Sequence, residues 1–260
     1  MKQPAIFPKV AKEMFSVQMS WTVWFLGIVF AVNIIKIISA INQNTEVDNL
    51  YNAVFVAGTI YMLIIGIISI SFLRHYVENG VTRKDYFKGT LLAALGLSII
   101  IPLIAYMVSQ LQLLLLKNIE TVSVKTAEFN SVVLDVDDHI IGEIVTSIVF
   151  APYIDPQNHA WLALAVFSIN LFTYYVLGWF ISVGFYRFHA GAGLAFIFIA
   201  LIIVSLEDVF LRVSLDLPVL SRYEMLESLP AGILLLFALL LIVLALSIIR
   251  LLTKRVAIKI

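Results

Sequence analysis

Acidic side chains and one histidine lie close together near the middle of the chain, at Asp135, Asp137, Asp138 and His139. Carboxylate and imidazole groups are ligands for calcium or zinc ions. The spacing D-x-D-D-H lacks the glycine and the distal glutamate of a calcium-binding loop. We therefore favour a solvated acidic loop at this position over a metal site.

A second set of groups is typical of a hydrolase: the carboxylates of Glu207 and Asp208 with the imidazole of His189. An intramembrane hydrolase needs such groups to face one hydrated cavity. Here they are at opposite ends of an apolar run, about 20 Å apart if that run is helical with a rise of about 1.5 Å per residue. The sequence also contains no Walker-type phosphate loop, H-E-x-x-H zinc motif or G-x-S-x-G elbow. It therefore predicts a chain with no catalytic residues, no metal and no cofactor of its own.

Membrane helices are the elements that would position these groups. Of the 260 residues, 62% are apolar or aromatic and 13% are charged, and the mean hydropathy is +1.02. A soluble domain has no use for so much apolar surface, whereas a helix that crosses a bilayer needs about 20 apolar residues. The sequence predicts an all-α integral membrane protein, one domain over residues 1–260 with six transmembrane helices. The predicted spans are 21–40, 53–73, 90–116, 161–183, a short one at 191–206, and 231–252.

The basic residues predict that both termini are cytoplasmic, because Lys and Arg accumulate on the inner side of a membrane protein. The chain has 17 basic residues. Six crossings from an inner N-terminus place most of them inside, and those at or near the outside are Lys36, Lys117, Lys125, Arg212 and Arg222. The 17 acidic residues balance them, and a net charge of zero argues against a nucleic-acid partner. The absence of cysteine excludes disulfides.

Three segments lie outside the predicted spans. Residues 1–20 form an amphipathic elbow, an N-terminal amphipathic helix in the inner membrane interface that acts either as an anchor or in a mechanical role. Residues 117–160 form an external acidic loop, and residues 207–230 form an external re-entrant segment before the last helix. Polar residues within the spans indicate helix contacts, and we expect no buried Asp or Glu to relay protons.

The loop at 74–89 is the one substantial cytoplasmic loop of this topology, and it combines charge with aromatic residues. Gly80 permits a turn there, and Thr82 has the type and position to cap a short helix. One interpretation is a basic loop that only sets the topology. That interpretation does not explain Tyr86 and Phe87, whereas aromatic and charged side chains are typical of a surface that docks into a partner.

This arrangement over the whole chain resembles the permease subunits of type-2 ATP-binding-cassette (ABC) exporters. The loop is similar to the pattern G-(aliphatic)-[ST]-R-K-x-(aromatic)-(aromatic)-x-G of small Firmicute permeases, such as those of the phenol-soluble-modulin exporters. The positions that match it are Gly80, Val81, Thr82, Arg83, Lys84, Tyr86, Phe87 and Gly89. The long acidic segment at 117–160 departs from what is expected of that family.

The resemblance implies a coupling helix that docks into a cleft of a cytoplasmic ATPase subunit, with the N-terminal helix lying beside it. That helix would comprise Glu78, Asn79, Gly80, Val81, Thr82, Arg83, Lys84, Asp85, Tyr86 and Phe87. A minor cytoplasmic contact would involve Tyr186, Arg187 and His189.

By the same resemblance, two permease chains, as a homodimer or a mixed pair, would work with two ATPase chains that hold ATP and Mg. The complex would sit among the lipids of a bacterial plasma membrane and export an amphipathic peptide, a drug or a lipid-like substrate. No residue can be assigned to the substrate. The sequence also leaves open an immunity or sensor protein that keeps the fold without transport.

Overall fold

The computed structural model describes residues 6–43, 45–47, 49–117, 129–130, 151–188 and 190–254. Within these ranges, six helical stretches are long and apolar enough to cross a membrane, and α2 and α3 together form one of them. The predicted fold class, an all-α membrane protein with six transmembrane helices, is confirmed. The helices are α1 (Phe7–Gln43), α2 (Leu50–Ser69), α3 (Ser71–Glu78), α4 (Arg83–Leu116), α5 (Ala160–Arg187), α6 (Ala190–Ser214) and α7 (Ala231–Lys254), with a 3-10 helix at Ser221–Ser228.

The helical stretches are longer than the predicted spans, most of all at α1 and α6. The amphipathic elbow and the first span form one continuous helix of 37 residues, α1. No glycine or proline lies between Lys9 and Leu26 to end it. The short fifth span is in fact the 25-residue helix α6, which continues past Leu206 to Ser214. Residues 207–214 of the predicted re-entrant segment therefore belong to a helix, and whether the rest enters the membrane stays a prediction.

The centre of the bundle is the seam between α2 and α5. A methyl group on Gly66 would lie 2.1 Å from the carbonyl oxygen of Tyr175, and one on Gly178 would lie 2.1 Å from that of Leu63. The two glycines therefore let the backbones touch, as small residues do between membrane helices. Around this seam, α1 packs on α4, while α6 and α7 pack on α5.

Basic residues gather at one end of the bundle, called the basic end below. It is formed by the starts of α1, α4 and α6 and by the ends of α3, α5 and α7. The acidic residues described there are Glu13, Glu78 and Asp85. The basic residues described there are Lys9, Lys12, Arg74, Arg83, Lys84, Lys88, Arg187, Arg250 and Lys254. The described basic residues that are predicted to be inside therefore all lie at one end of the bundle. The side of the membrane on which this end lies stays a prediction.

The outer faces of the helices are apolar. Trp24 of α1, Leu115 of α4 and Leu236 of α7 are all exposed. Exposed apolar side chains in such density are unfavourable in water but are solvated well by lipid chains. The surface composition therefore agrees with the helix lengths in indicating a membrane protein.

Candidate docking site at the basic end

The predicted docking segment is a tight turn between α3 and α4. At the end of α3, the side-chain amide of Asn79 donates a 2.8 Å hydrogen bond to the carbonyl oxygen of His75. Gly80 has a φ of +81°, which glycine adopts without strain. The backbone N–H of Val81 then donates to the carbonyl oxygen of Tyr76 at 2.9 Å. Carbonyl groups at the end of α3 are therefore satisfied within the turn.

Thr82 begins α4 as its N-cap, as the sequence predicts. The Thr82 side-chain oxygen accepts a hydrogen bond from the Asp85 backbone N–H at 3.1 Å, and its hydroxyl donates to the Asp85 carboxylate at 2.7 Å. A cap of this kind fixes the first turn of a helix, where a carboxylate also complements the helix dipole. On α3, Arg74 Nε lies 2.7 Å from a carboxylate oxygen of Glu78. The turn is thus held in one shape by its own hydrogen bonds.

The segment from Glu78 to Phe87 is not a single coupling helix, because it contains the end of α3, the turn and the start of α4. Its side chains differ in exposure, and only the exposed ones are available to a partner. Glu78, Asn79, Gly80, Thr82 and Lys84 are exposed, whereas Val81, Arg83, Asp85 and Phe87 are partly buried. A docking partner would therefore meet a polar and charged tip.

Tyr86 is the exception to the predicted docking role, because its side chain is fully buried. Its hydroxyl donates a hydrogen bond of 2.7 Å to the carbonyl oxygen of Ser69, at the junction between α2 and α3. Its ring meets the indole of Trp179 edge to face, with centroids 6.2 Å apart. The prediction that Tyr86 contacts a partner directly is corrected: the residue joins the turn to the bundle.

Ser69 is the meeting point of four helices. Its hydroxyl lies 2.6 Å from the Tyr175 hydroxyl, and the Gln18 amide donates to both groups, at 3.2 and 3.0 Å. All of these residues are buried. Because buried polar networks favour one arrangement of their members, this network fixes α1, α2 and α5 relative to each other, and Tyr86 adds α4.

The minor contact is predicted at the end of α5. Hydrogen bonds with α7 join this helix end to the start of α4. Arg187 donates a 2.6 Å hydrogen bond to the carbonyl oxygen of Leu252, and Arg250 donates to that of Arg83 at 3.2 Å. The Arg250 guanidinium also lies 5.6 Å from the ring centroid of Phe87. The last turns of α7 thus connect the two predicted contacts, while His189 lies outside the described residues.

The start of α1 lies against the start of α4. A methyl group on Gly89 would come within 2.5 Å of the Val10 side chain, and the Lys88 ammonium lies 5.2 Å from the ring centroid of Phe7. The amphipathic N-terminal segment therefore packs against the first two turns of α4.

A buried charged cluster at the far end of α6 was missed by the sequence interpretation. Arg212 Nε lies 3.0 Å from both carboxylate oxygens of Asp208, and the Thr173 hydroxyl donates to Glu207 at 3.0 Å. All three charged residues are at most 4% exposed. The sequence analysis placed these residues in an external segment, whereas the structure buries them in α6, and the i,i+4 spacing of Asp208 and Arg212 was the available signal.

Among the described residues, no group of three or more His, Cys, Asp and Glu side chains is arranged to hold a metal ion. The acidic group at Asp135, Asp137, Asp138 and His139 lies outside those residues, as does most of the external loop at 117–160. Comparison of the chain with protein-family models, with curated proteins and with solved structures finds no match.

Proposed function

We propose that this chain is the membrane-spanning subunit of a type-2 ABC exporter, driven by separate cytoplasmic ATPase subunits. The observation that carries the proposal is the combination of an exposed, rigid turn with a buried anchor. The tip offers Glu78, Asn79 and Lys84 to a partner, and Tyr86 connects it to Ser69 inside the bundle. A loop that only set the topology would need no such anchor.

The anchor gives the turn a mechanical role. A push on the tip acts on the start of α4 and, through the hydrogen bond from Tyr86, on the junction of α2 and α3. The network around Ser69 passes that force to α1 and α5. Because packed helices move as units rather than deform continuously, closure of an ATPase pair would shift the bundle as a rigid body.

The rest of the proposed complex follows from the same mechanism. ATP and Mg would be held by the ATPase chains, and a second permease chain, identical or related, would complete the transport unit. An amphipathic peptide, drug or lipid-like molecule suits a pathway between apolar membrane helices. The bilayer would be a bacterial plasma membrane, with the basic end on its cytoplasmic side in agreement with the positive-inside rule.

Co-purification from native membranes tests the proposal. The chain is solubilised in mild detergent, and the proteins that accompany it are identified by mass spectrometry. We expect a stoichiometric ATPase with Walker motifs. The substitution Lys84→Glu reverses a charge at the exposed tip and should release that ATPase, whereas Lys117→Glu, at the opposite end of α4, should leave it bound. Recovery of the wild-type chain without any ATPase would favour the immunity or sensor interpretation.

A further inference from the structure

A cleft of about 330 Å³ opens between α1 and α2 in the half of the bundle opposite the basic end. Val29, Val32 and Lys36 line it from α1, and Asn52 and Val56 line it from α2. Its volume lies within the range of ligand-binding clefts.

Most of the lining of this cleft is apolar, and its polar residues are Asn33 and Lys36 of α1 and Asn52 of α2. Lys36 lies near the end of α1 and Asn52 near the start of α2, so both lie toward the membrane surface. Along α1, Val29 lies about two turns deeper than Lys36, and along α2, Val56 lies about one turn deeper than Asn52, at about 1.5 Å per residue. A ligand in the cleft would thus have a polar group at the surface and an apolar body toward the middle of the bilayer.

Lys36 gives the cleft a positive charge. Its side chain is exposed, and the described residues provide it with no ion pair. A lysine within a membrane helix is unfavourable unless its ammonium group reaches water or an anion. The cleft therefore favours a ligand whose polar group is negatively charged.

Asn52, which lines the cleft from α2, supplies a second donor. The Tyr153 hydroxyl donates to the Asn52 side-chain oxygen at 2.7 Å, which fixes the orientation of the amide. Its NH2 group is then the part of the side chain that can donate to a ligand in the cleft. An ammonium and an amide donor in a mostly apolar cleft match a phosphate group with a hydrocarbon chain.

We propose that the cleft between α1 and α2 binds an anionic phospholipid from the surrounding bilayer. The phosphate contacts Lys36 and Asn52, and one acyl chain lies along Val29, Val32 and Val56. The neighbouring Ile28 and Ile35 are 62% and 66% exposed, so the mouth of the cleft faces lipid rather than water. The inference is independent of the proposed transport function.

Lipid binding is measured by native mass spectrometry of the full chain. The purified protein is given equal amounts of phosphatidylglycerol and phosphatidylcholine with identical acyl chains, and the ratio of the two one-lipid species is recorded. We expect the wild-type chain to prefer phosphatidylglycerol. Lys36→Gln should reduce that preference about fivefold, the effect of about 1 kcal/mol per lysine near an anionic lipid, and Lys36→Arg should retain it.

Matched controls separate this cleft from general lipid contact. Lys117→Gln removes an exposed lysine at the same end of the bundle and should leave the preference unchanged. Ala57→Trp fills the cleft, which Ala57 lines, and should lower binding of both lipids, whereas Ala165→Trp on an exposed position of α5 should not. Circular dichroism checks that each variant is folded. A wild-type chain without preference, or equal losses in Lys36→Gln and Lys117→Gln, would overturn the proposal.

Discussion

The hydroxyl of Tyr86 donates a 2.7 Å hydrogen bond to the carbonyl oxygen of Ser69, and this contact joins the first turn of α4 to the end of α2. Loss of a buried hydrogen bond of this kind costs about 1 kcal/mol. The substitution Tyr86→Phe should thus leave the chain folded, with a slightly lower thermal midpoint in detergent.

The same substitution should separate docking from transmission. Because the exposed tip is unchanged, the ATPase should still co-purify with Tyr86→Phe, but transport per ATP hydrolysed in proteoliposomes should fall. Tyr106→Phe, in the same helix, is the control, because no hydrogen bond of its hydroxyl is found among the described residues. Equal transport in Tyr86→Phe and wild type would remove Tyr86 from the mechanism.

The glycines of the seam give a stability prediction. In Gly178→Ala the new methyl group would lie 2.1 Å from the Leu63 carbonyl oxygen, a clash that only separation of α2 and α5 relieves. Overpacking of this kind costs about 1–3 kcal/mol or more. Gly27→Ala, where a methyl group meets nothing within 4 Å, should be neutral or stabilising because alanine favours the helix. Thermal unfolding in detergent compares the two, and similar midpoints would contradict the described packing.

Gly80 gives a second backbone prediction. Its φ of +81° is unfavourable for residues with a side chain, by about 1–2 kcal/mol. Gly80→Val should therefore distort the turn and weaken ATPase co-purification, while Gly80→Asn, which tolerates this conformation better, should have a smaller effect. If both variants retain the ATPase fully, the shape of the turn does not matter for docking.

The buried pair of Asp208 and Arg212 predicts an asymmetry between single and double substitutions. Arg212→Leu leaves the Asp208 carboxylate buried without the partner that lies 3.0 Å away, which costs about 3–5 kcal/mol. Adding Asp208→Leu removes the uncompensated charge, so the double variant should unfold at a higher temperature than Arg212→Leu alone. If the losses of the single variants Arg212→Leu and Asp208→Leu add up to the loss of the double variant, the two side chains are not coupled.

Helix number was accessible from the sequence because the length of an apolar run reports directly on membrane spanning. The buried position of Tyr86 was harder to predict, since it depends on which face of α4 packs inward. Tyr86, Thr90, Ala93 and Leu97 are all buried and follow the helical period, so the stripe was present in the sequence. The aromatic character of the loop suggested a contact surface instead.

The far end of α6 shows a different limit. The apolar run was predicted to end at the first charges, because isolated charges are unfavourable in a membrane helix. Asp208 and Arg212 instead compensate each other, and Thr173 donates to Glu207 from another helix. The i,i+4 spacing of Asp208 and Arg212 could have indicated the helix, whereas a partner 34 residues away, as Thr173 is for Glu207, leaves no local pattern.

Site-specific photo-crosslinking in native membranes tests whether the turn between α3 and α4 contacts an ATPase. The chain has no cysteine, so a single cysteine in Lys84→Cys carries a benzophenone probe at the tip of the turn, and Lys117→Cys carries it at the opposite end. We expect a crosslink to a Walker-motif ATPase from position 84 and none from position 117. An absence of ATPase crosslinks from position 84, or equal crosslinks from both positions, would contradict docking at the turn between α3 and α4.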